Sequence, residues 1–589
     1  MVALAIAVLI GWQLWYPAQM EKARKTQEPV KVAAPAAPSP GATPAAGTDP
    51  GAKPSAPVVQ PESQSAAAPV AGTAAVSEKK TQILESEEAQ WLFSNVGAGV
   101  ERVTLKRHQS EEGSVVMNLF GSVPIGALTE TFENPVLEPF SMEVGADSKS
   151  IVFRRTDVRQ LEVEKRFALP VAGGAGKPPS AFEVDLEVTF RNHSASPLSV
   201  PNYALRLGSC AALHSRDLPI YTGFNRSIGG DAKFTDVTWF EGGGFLGFGK
   251  KSRPLYSETG AVGWAGVTNQ YYCTLITPKG VPFSVSEALA RRFVVSTEDW
   301  IAAGRGAVAG SSIHAVDGAL RMSQISLAPG QESKSQFRIF VGPREHRLLS
   351  ALGGDQDQML DFGMFGIVSR SLLASMNGLK SLVGSYAAAI VVLTIIIKLL
   401  MWPLQNKATK SMKRMQELQP KMNEIKERYG DDPQRMNVEI MALYKKHGVN
   451  PMSGCAPMLI QIPIFFGFYN MLGKAVELRN SSFLWVKDLS QPDTVAMLAG
   501  YPINVLPLLM AVTMLWQMQL SPKTGDPMQQ RMFMFMPLIF ILFCYNFASA
   551  LALYWTVQNL FSIVQLTVTN SRERKSGLQS AVASPKRAK

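Results

Sequence analysis

The sequence predicts a membrane protein of mixed fold class, with five core α-helical spans, an N-terminal anchor span, a large all-β domain and a helical hairpin. Several apolar runs are long enough to cross a bilayer. Residues 81–343 show the two-residue hydrophobic period of strands. Residues 405–453 are cationic and carry apolar positions at helical spacing. The 46% hydrophobic content of the 589-residue chain fits a mixture of membrane and soluble parts.

The chain begins with an apolar run, residues 1–16, that we interpret as a transmembrane anchor. This run is short for a span, so it is either a signal sequence or a span whose first residues are missing from this start. No A-x-A cleavage site follows directly, which favours an uncleaved anchor. Residues 17–80 are rich in Ala and Pro, and such a composition predicts a flexible tether.

Residues 81–343 are predicted to form a large antiparallel β domain, most simply a sandwich. Apolar and polar residues alternate without interruption at 182–190, and a similar pattern appears at 150–155, 161–169 and 335–342. Alternation of this kind is typical of strands with one buried face. Glycine and proline turns separate the segments, as expected between strands of a sandwich.

Residues 357–380 form an amphipathic pattern of helical spacing directly before the first core span. Its apolar positions recur at three- and four-residue intervals, whereas Ser369, Arg370 and Asn377 mark a polar face. We expect this helix to lie in the plane of the membrane interface. The alternative is a helix packed under the β domain.

Five apolar runs are predicted to form the helical core. The predicted core spans are residues 383–404, 454–478, 499–520, 531–547 and 548–569. The last two are joined so tightly that they should form a hairpin of spans. Residues 405–453 hold ten Lys and Arg, and we interpret them as a helical hairpin whose first arm is kinked at Pro420. This basic hairpin could contact ribosomal RNA or anionic lipid, or it could be a solvated charged loop.

The distribution of cations among the connecting segments predicts the topology. The basic hairpin and the basic tail at 570–589 belong on the cytoplasmic side. Residues 477–498 carry only two cations, Arg479 and Lys487, and belong outside. The β domain then lies outside, because it precedes a span that runs inward. This arrangement and contact with anionic lipid account for the net charge of +11, so we do not expect DNA as a partner.

One charged residue, Lys398, lies inside the first predicted core span. A lysine there costs at least ~2.5 kcal/mol unless water, a partner or the interface relieves it, which makes it a candidate functional residue. Thr394 lies four residues earlier and shares its helix face. The alternative is that the lysine side chain snorkels to the nearby headgroups.

Polar side chains on other predicted spans suggest that Lys398 does not stand alone. Gln461 lies on the second core span, Gln517 on the third, and Trp555 and Asn559 on the fifth. Any one of these could simply make an interhelical hydrogen bond, worth on average ~0.6 kcal/mol. Together with Lys398 they predict a shared hydrated cavity.

The sequence shows no motif that predicts a catalytic residue, a cofactor or a metal. Residues 244–251 nearly fit a phosphate-binding loop, but Lys251 replaces the hydroxyl residue that would bind magnesium, and Pro254 follows where a helix should begin. The six histidines lack metal-ligand spacing, and the four cysteines form no close CxxC pair. Cys210 and Cys273 could still pair if their domain lies outside the cytoplasm.

Three stretches resemble the YidC family of membrane protein insertases, which has relatives in mitochondria and chloroplasts. The stretches are residues 401–472 (MWPLQNKATKSMKRMQELQPKMNEIKERYGDDPQRMNVEIMALYKKHGVNPMSGCAPMLIQIPIFFGFYNML), 526–540 (DPMQQRMFMFMPLIF) and 551–560 (LALYWTVQNL). The upstream order of anchor, tether, β domain and amphipathic helix resembles the Gram-negative members, whose β domain is a periplasmic supersandwich.

The resemblance implies a membrane protein insertase and chaperone of the bacterial inner membrane, not an enzyme, with its β domain in the periplasm and its C-terminus in the cytoplasm. It implies a hydrophilic groove through which nascent membrane proteins pass, alone or with the Sec translocon. It further implies contact of the basic hairpin and tail with the ribosome, contact with membrane lipids, and no cofactor or metal.

The resemblance also assigns roles to individual residues. Family members usually have arginine at the position of Lys398, and lysine loses the bidentate fork that arginine offers to carboxylates. Thr394 and Trp555 match substrate-contacting positions, the second of which is commonly tyrosine. The predicted groove residues are Lys398, Thr394, Trp555, Gln461, Gln517 and Asn559.

Two other functions fit parts of the pattern. A polar-cavity transporter would place a lysine and amides inside a helical bundle, but it should show an internal repeat, which we do not find. A membrane-anchored sugar-binding protein or enzyme would act through the β domain, whose carboxylates show no pairing pattern. Deletion of most of residues 81–330 separates these functions, because an insertase should survive it.

Overall fold

A computed structural model describes residues 78–582, except for 111–112, 171–180, 216, 242–251, 281–284, 306–312, 450–455, 499–500, 522–534, 536 and 543. The predicted anchor at 1–16 and nearly all of the predicted tether at 17–80 lie outside the described residues. The near-match to a phosphate loop at 244–251 lies outside them as well. The described chain consists of a β domain followed by a helical region.

The β domain is built from segments in which apolar and polar residues alternate. The four alternating segments that stood out in the sequence form strands that are neighbours in one sheet, β7 (Ser150–Thr156), β8 (Leu161–Ala168), β9 (Glu183–Asn192) and β20 (Glu332–Pro343). The strands of this domain among the described residues are β1 Thr81–Glu85, β2 Ala89–Ser94, β3 Gly99–Ser110, β4 Gly113–Met117, β5 Leu128–Thr129, β6 Ser141–Val144, β7 Ser150–Thr156, β8 Leu161–Ala168, β9 Glu183–Asn192, β10 Leu198–Val200, β11 Ala204–Ala211, β12 Gly223–Ile228, β13 Asp231–Asp236, β14 Leu255–Thr259, β15 Val262–Thr268, β16 Tyr272–Lys279, β17 Val285–Val295, β18 Ile313–Met322, β19 Ile325–Leu327 and β20 Glu332–Pro343.

Two large antiparallel sheets share one hydrophobic core. One has nine strands in the order β13-β12-β15-β16-β20-β9-β8-β7-β6, and the other has five in the order β14-β17-β18-β11-β5. Smaller sheets are formed by β1 to β4 and by β10 with β19. The large sheets pack closely, since a Cβ built on Gly318 of β18 would lie 3.1 Å from Val267 and 3.2 Å from Phe224 of the facing sheet. The prediction of a large β-rich domain is confirmed.

The two cysteines that the sequence allowed to pair lie in this core. Cys210 and Cys273 are both buried, and both are free thiols, so no disulfide joins them. Burial raises the pKa of the Cys273 thiol to about 12, because the apolar surroundings disfavour the thiolate. Both thiols therefore act as small apolar groups in the core.

The helical region follows β20. The α-helices of the described residues are α1 Thr297–Ala302, within the β domain, and then α2 His346–Leu352, α3 Gly366–Val383, α4 Tyr386–Glu417, α5 Gln419–Tyr429, α6 Pro433–Lys446, α7 Ala456–Lys474, α8 Val505–Leu520 and α9 Ser549–Val582. Residues 537–542 are also helical. Short 3-10 turns are Pro219–Tyr221, Val237–Phe240, Gln356–Met359, Gly363–Phe365 and Val476–Leu478. Between α7 and α8, β21 Thr494–Leu498 pairs with β22 Tyr501–Asn504.

The amphipathic segment predicted at 357–380 forms a helix only from Gly366 onward. Before that point, Gly363 takes a left-handed conformation (φ 68°), and its N–H donates to the Asp361 side chain at 2.7 Å, which interrupts a helix. The buried face of α3 includes Leu372 and Met376 and packs on α4 and α7. Ser369 Oγ, near the start of α3, donates to the carbonyl of Gly467 on α7 at 3.1 Å. The helix therefore packs against other helices and not under the β domain.

The first predicted core span, 383–404, belongs to a longer helix. α4 passes through Pro403 and ends only at Glu417, so the predicted boundary between span and hairpin falls inside a continuous helix. Pro420 lies in the first turn of α5, where its missing N–H is no loss. The first arm of the hairpin is therefore interrupted at Leu418, next to Pro420, where the sequence predicted a kink.

Two other predicted spans have different helical limits. The predicted span at 499–520 becomes helical only at Val505, because 501–504 forms a strand, and the last helix runs on to Val582, well past the predicted limit of 569. Among the described helices, Tyr386–Glu417 and Ser549–Arg572 are long and apolar enough to cross a membrane, while α8 is apolar but shorter. The count of five core spans stays a prediction.

α5 and α6 lie within the predicted cytoplasmic hairpin. They pack through a small apolar cluster that includes Leu418, Met422 and Tyr444. The Tyr444 hydroxyl donates to Met422 Sδ at 3.0 Å. Asp432 caps α6, since its side chain accepts hydrogen bonds from two backbone N–H groups of the first turn. The apolar stripes seen in the sequence therefore give these two helices a core of their own.

Candidate functional site

Lys398 lies on α4 and is almost completely covered, with only 4% of its surface exposed. Its ammonium donates to Ser562 Oγ of α9 at 3.2 Å. The Ser562 hydroxyl in turn donates to the carbonyl of Gln558 at 2.9 Å. Among the described residues, no carboxylate forms an ion pair with Lys398, so a buried cation has one neutral hydrogen-bond partner and unused N–H donors.

Thr394 lies one turn before Lys398 and is 1% exposed. Its hydroxyl donates to the carbonyl of Ile390, four residues earlier in the same helix, at 2.7 Å. In the described conformation, neighbouring side chains cover both Thr394 and Lys398. A substrate can reach these two residues only if the side chains that cover them move.

Three residues of α4 make four polar contacts with α9, and we call these contacts the polar seam. The contacts are Lys398 with Ser562, Asn406 with Gln565 (3.2 Å) and Thr569 (3.3 Å), and Lys413 with Asn570 (2.6 Å). The residue numbers on both helices rise together, so α4 and α9 run parallel. Lys398, Asn406 and Lys413 span 15 residues, about 22 Å of helix at 1.5 Å per residue.

Gln461 links α7 to α9 beside this seam. Its amide nitrogen donates to Gln558 Oε1 at 3.1 Å and to the Tyr554 hydroxyl at 3.2 Å. Phe468 of α7 stacks on Tyr554 with ring centroids 4.1 Å apart. Since residue numbers rise on α7 as they fall on α9, the two helices are antiparallel. Through Gln558, Gln461 therefore contacts the same polar face of α9 that Lys398 contacts.

Asn559 and Gln517 face a different neighbour. Asn559 Nδ2 donates to the Met510 carbonyl at 3.2 Å and to Thr513 Oγ1 at 3.1 Å, which ties α9 to α8. Gln517 lies one turn after Thr513, and its Oε1 is buried without a hydrogen-bond partner among the described residues. The structure thus places these two predicted groove residues at the α8 side of α9, not at the polar seam.

Trp555 forms part of an aromatic cluster. Its ring meets Phe465 of α7 nearly at right angles, with centroids 4.8 Å apart, and Phe540 lies at the same distance. The side chain is half-buried, so it is more accessible than Lys398 or Thr394. An aromatic ring at such a place offers apolar area with a polar N–H at one end.

The β domain contacts one end of the helical region. Gln270 donates to the carbonyl of Gly473 at the end of α7 (2.7 Å), and the Tyr271 hydroxyl donates to the Ser490 carbonyl (3.2 Å). The Arg479 guanidinium lies 4.9 Å from the Tyr271 ring centroid. Ser549, at the start of α9, bonds to the 488–491 loop through its N–H and hydroxyl. The β domain therefore lies at the end where α7 finishes and α9 begins.

His108 is a titratable group at this junction. It lies between Phe182 and Tyr272, and burial together with the nearby Arg479 charge lowers its pKa to about 4. A small cavity of about 40 Å³ also lies here, lined by residues that include Tyr221 and Asn546. This cavity lies at the β-domain end of the helices, whereas Lys398 lies about three turns deeper along α4.

Sequence reasoning missed Asn406, which accepts two hydrogen bonds in the seam. A usable signal was present, because Asn406 follows Lys398 by eight residues and so stays near the same helix face. On α9, positions 558, 562, 565 and 569 repeat at intervals of four, three and four and mark one polar stripe. Which helix that stripe would meet was not visible from the spacing.

Two family models match this chain. The model described as "60Kd inner membrane protein" matches residues 378–576, and the model described as "YidC periplasmic domain" matches residues 84–374. The matched ranges divide the chain close to the boundary between the β domain and the helical region.

Curated proteins from three bacteria share most of the chain, and each carries the name "Membrane protein insertase YidC". The protein of Oleidesulfovibrio alaskensis is 31% identical over 543 residues, covering 87% of this chain and 90% of its own. That of Maridesulfovibrio salexigens is 29% identical over 594 residues, covering 96% of each chain. That of Syntrophus aciditrophicus is 33% identical over 429 residues, covering 72% of this chain and 70% of its own.

A solved structure described as "Active YidC insertase crystal structure with the first transmembrane domain resolved" also aligns with this chain. The alignment covers 84% of this chain and 93% of the solved one, at 17% identity and a TM-score of 0.34.

Proposed function

Because the chain belongs to the YidC family of membrane protein insertases, we propose that it moves the polar end of a nascent membrane protein across the membrane by way of the polar seam between α4 and α9. The family consists of inner membrane proteins with a periplasmic domain. The single observation that supports the seam as the path is the incomplete pairing of Lys398.

A buried ammonium with one neutral partner is poised to accept an anion. Lys398 donates to Ser562 Oγ and, among the described residues, has no carboxylate partner. A carboxylate adds the attraction between opposite charges to the hydrogen bond, whereas a hydroxyl offers only its dipole, so an acidic side chain of a substrate displaces Ser562 with a gain in free energy. When a substrate carboxylate replaces Ser562 as the partner of Lys398, α4 and α9 separate at that contact.

The seam shortens the path of the polar segment through hydrocarbon. Carrying an unpaired polar group through hydrocarbon costs several kcal/mol. Asn406 and Lys413 lie beyond the predicted end of the first core span at 404, so the seam leads inward to Lys398 from the end of the helices that carries α5 and α6. Gln461 and Gln558 extend this polar lining towards Trp555, whose ring suits the apolar span that follows. Once the polar end has crossed, burial of ~20 apolar residues in lipid drives release, and no nucleotide is needed.

Membrane orientation and partners belong to the same proposal. The cations of α5 and α6 and of the tail favour the cytoplasm, which places the β domain, at the opposite ends of the helices, in the periplasm. The pair α5 and α6 then faces incoming chains, and its cations suit contact with ribosomal RNA or anionic lipid. We propose both independent insertion and insertion together with the Sec translocon.

Reconstitution tests this function directly. Proteoliposomes that contain only the purified protein should insert a single-span substrate without added nucleotide. A translocated tail with two aspartates should insert about tenfold faster than the same tail with asparagines, as expected for one charge-assisted hydrogen bond. Liposomes without protein are the control. Equal rates for the two tails would overturn the role given to Lys398.

A further inference from the structure

The short hairpin of β21 and β22 exposes an apolar tip next to the helical region. Val495, Met497, Leu498 and Tyr501 are all exposed, and Leu498 and Tyr501 reach 68% and 78%. Residues 494–520 contain no Asp, Glu, Lys, Arg or His. Exposed apolar side chains without a neighbouring charge are typical of a surface that contacts something other than water.

The base of the same hairpin is polar and fixed. Thr494 Oγ1 donates to Asn504 Oδ1 at 2.7 Å, and Asn504 Nδ2 donates to the carbonyl of Tyr545 at 2.7 Å. Asp493 accepts from the Leu506 N–H at 2.6 Å and from the Trp485 indole at 3.0 Å. The hairpin is therefore held at its base by hydrogen bonds, whereas Val495, Met497, Leu498 and Tyr501 beyond these bonds are exposed.

The backbone of β22 near the base is also satisfied. Pro502 has no N–H, its carbonyl accepts from the Tyr545 hydroxyl at 2.6 Å, and the Asn504 N–H donates to the same hydroxyl oxygen at 3.2 Å. An open strand edge is excluded from hydrocarbon because its unpaired N–H and C=O groups lose water. Because the Pro502 carbonyl and the Asn504 N–H are both hydrogen-bonded, this strand edge is compatible with the boundary of a bilayer.

The apolar surface of the hairpin continues into that of α8. β22 runs directly into α8, whose outward face exposes Leu508, Val512 and Trp516. The helix has 16 residues, about 24 Å, which is roughly 6 Å less than a hydrocarbon core of ~30 Å. Two strand residues cover about 6.6 Å. The strands next to α8 thus supply the missing length, and the hairpin tip reaches the headgroup region.

We propose that the tip formed by Val495, Met497, Leu498 and Tyr501 inserts into the headgroup and upper acyl region of the leaflet on the β-domain side and anchors α8 there. The occupant of this surface is lipid, because the surface is continuous with the outward apolar face of a membrane helix. Trp485 and Tyr501 are placed as interfacial aromatic residues, with an apolar ring and a polar end.

Depth-dependent fluorescence quenching tests the anchor in the full-length protein. The native cysteines are replaced, Leu498→Cys is labelled with the fluorophore NBD, and the protein is placed in phosphatidylethanolamine and phosphatidylglycerol nanodiscs. Two control labels are Val158→Cys, on a β-domain turn where the valine is 99% exposed, and Val512→Cys, midway along α8.

The label at 498 should be quenched about twofold more by lipids with a doxyl group on acyl carbon 5 than on carbon 12, in keeping with insertion of about 5–10 Å. The order should reverse at 512, and at 158 only aqueous iodide should quench. Iodide quenching at 498 equal to that at 158 would overturn the proposal. Protection of 498 from both iodide and doxyl lipids would also overturn it, since the surface would then be covered by protein.

Discussion

Replacing Lys398 by glutamate is expected to lower insertion of substrates with an acidic translocated end by roughly tenfold to a hundredfold. The variant places a carboxylate where the structure has an ammonium bound to Ser562, so an incoming acidic residue loses its partner and meets a like charge. Substrates whose acidic residues are changed to asparagine should be affected far less. The measurement is the ratio of insertion rates for acidic and neutral tails in proteoliposomes.

Two control variants separate this effect from misfolding. Lys398→Arg keeps the charge and should retain the preference for acidic tails. Lys410→Glu reverses the charge of an exposed side chain on the same helix, outside the polar seam and about 18 Å further along, and should leave the ratio nearly unchanged. An unchanged ratio in Lys398→Glu, or rescue of a depleted strain on acidic-tail substrates by that variant, contradicts the electrostatic step.

Replacing Arg344 by methionine is expected to destabilise the protein by about 3 kcal/mol, since three buried carbonyls lose their donor. The guanidinium is buried and donates to the carbonyls of Asn269 (2.8 Å), Gln270 (3.4 Å) and Met359 (2.7 Å). Burial lowers the pKa of Arg344, because removal from water disfavours the charged guanidinium and few opposite charges compensate for it. Arg344 joins the β-domain loop that touches α7 to the segment leading into α3.

The expected loss corresponds to a fall of about 6–10 °C in the apparent midpoint of thermal unfolding in detergent. Arg107→Met is the control, because Arg107 forms ion pairs with Glu87 and Glu88 at the surface of the β domain and its side chain is 66% exposed. It should lower the midpoint by less than half as much. Equal midpoints for Arg344→Met and the unaltered protein would show that this arginine does not hold the junction together.

Local patterns were sufficient for the β domain and for part of the site. The alternation at 182–190 needs no partner to be recognised, because it depends only on which face of one strand is buried. Lys398 stood out for the same reason, since a single charge inside an apolar run is visible without knowledge of its neighbours. Both features belong to single elements.

Features that depend on the relative position of two elements were not predictable. The contact of Asn406 with Gln565 requires α4 and α9 to be parallel neighbours, although they are separated by more than 130 residues of sequence. The hairpin before α8 has the same apolar composition as the helix. Its strands are fixed by bonds from Asn504 to Tyr545, which only the folded chain brings together. Likewise, α4 continues through Pro403 because packing against α9 outweighs the local preference to stop.

Site-specific crosslinking of a nascent substrate tests the central claim most directly. Single cysteines at 394, 562 and 555, all of which leave Lys398 in place, are compared with Leu560→Cys, which lies on the opposite, exposed face of α9. The substrate carries one cysteine next to its acidic tail residue and is stalled during insertion. We predict crosslinks at 394, 562 and 555, although the first two are covered in the resting structure, and little at 560. Crosslinking at 560 without any at 394 or 562 would show that the substrate passes along the outer face of α9 and not between the two helices.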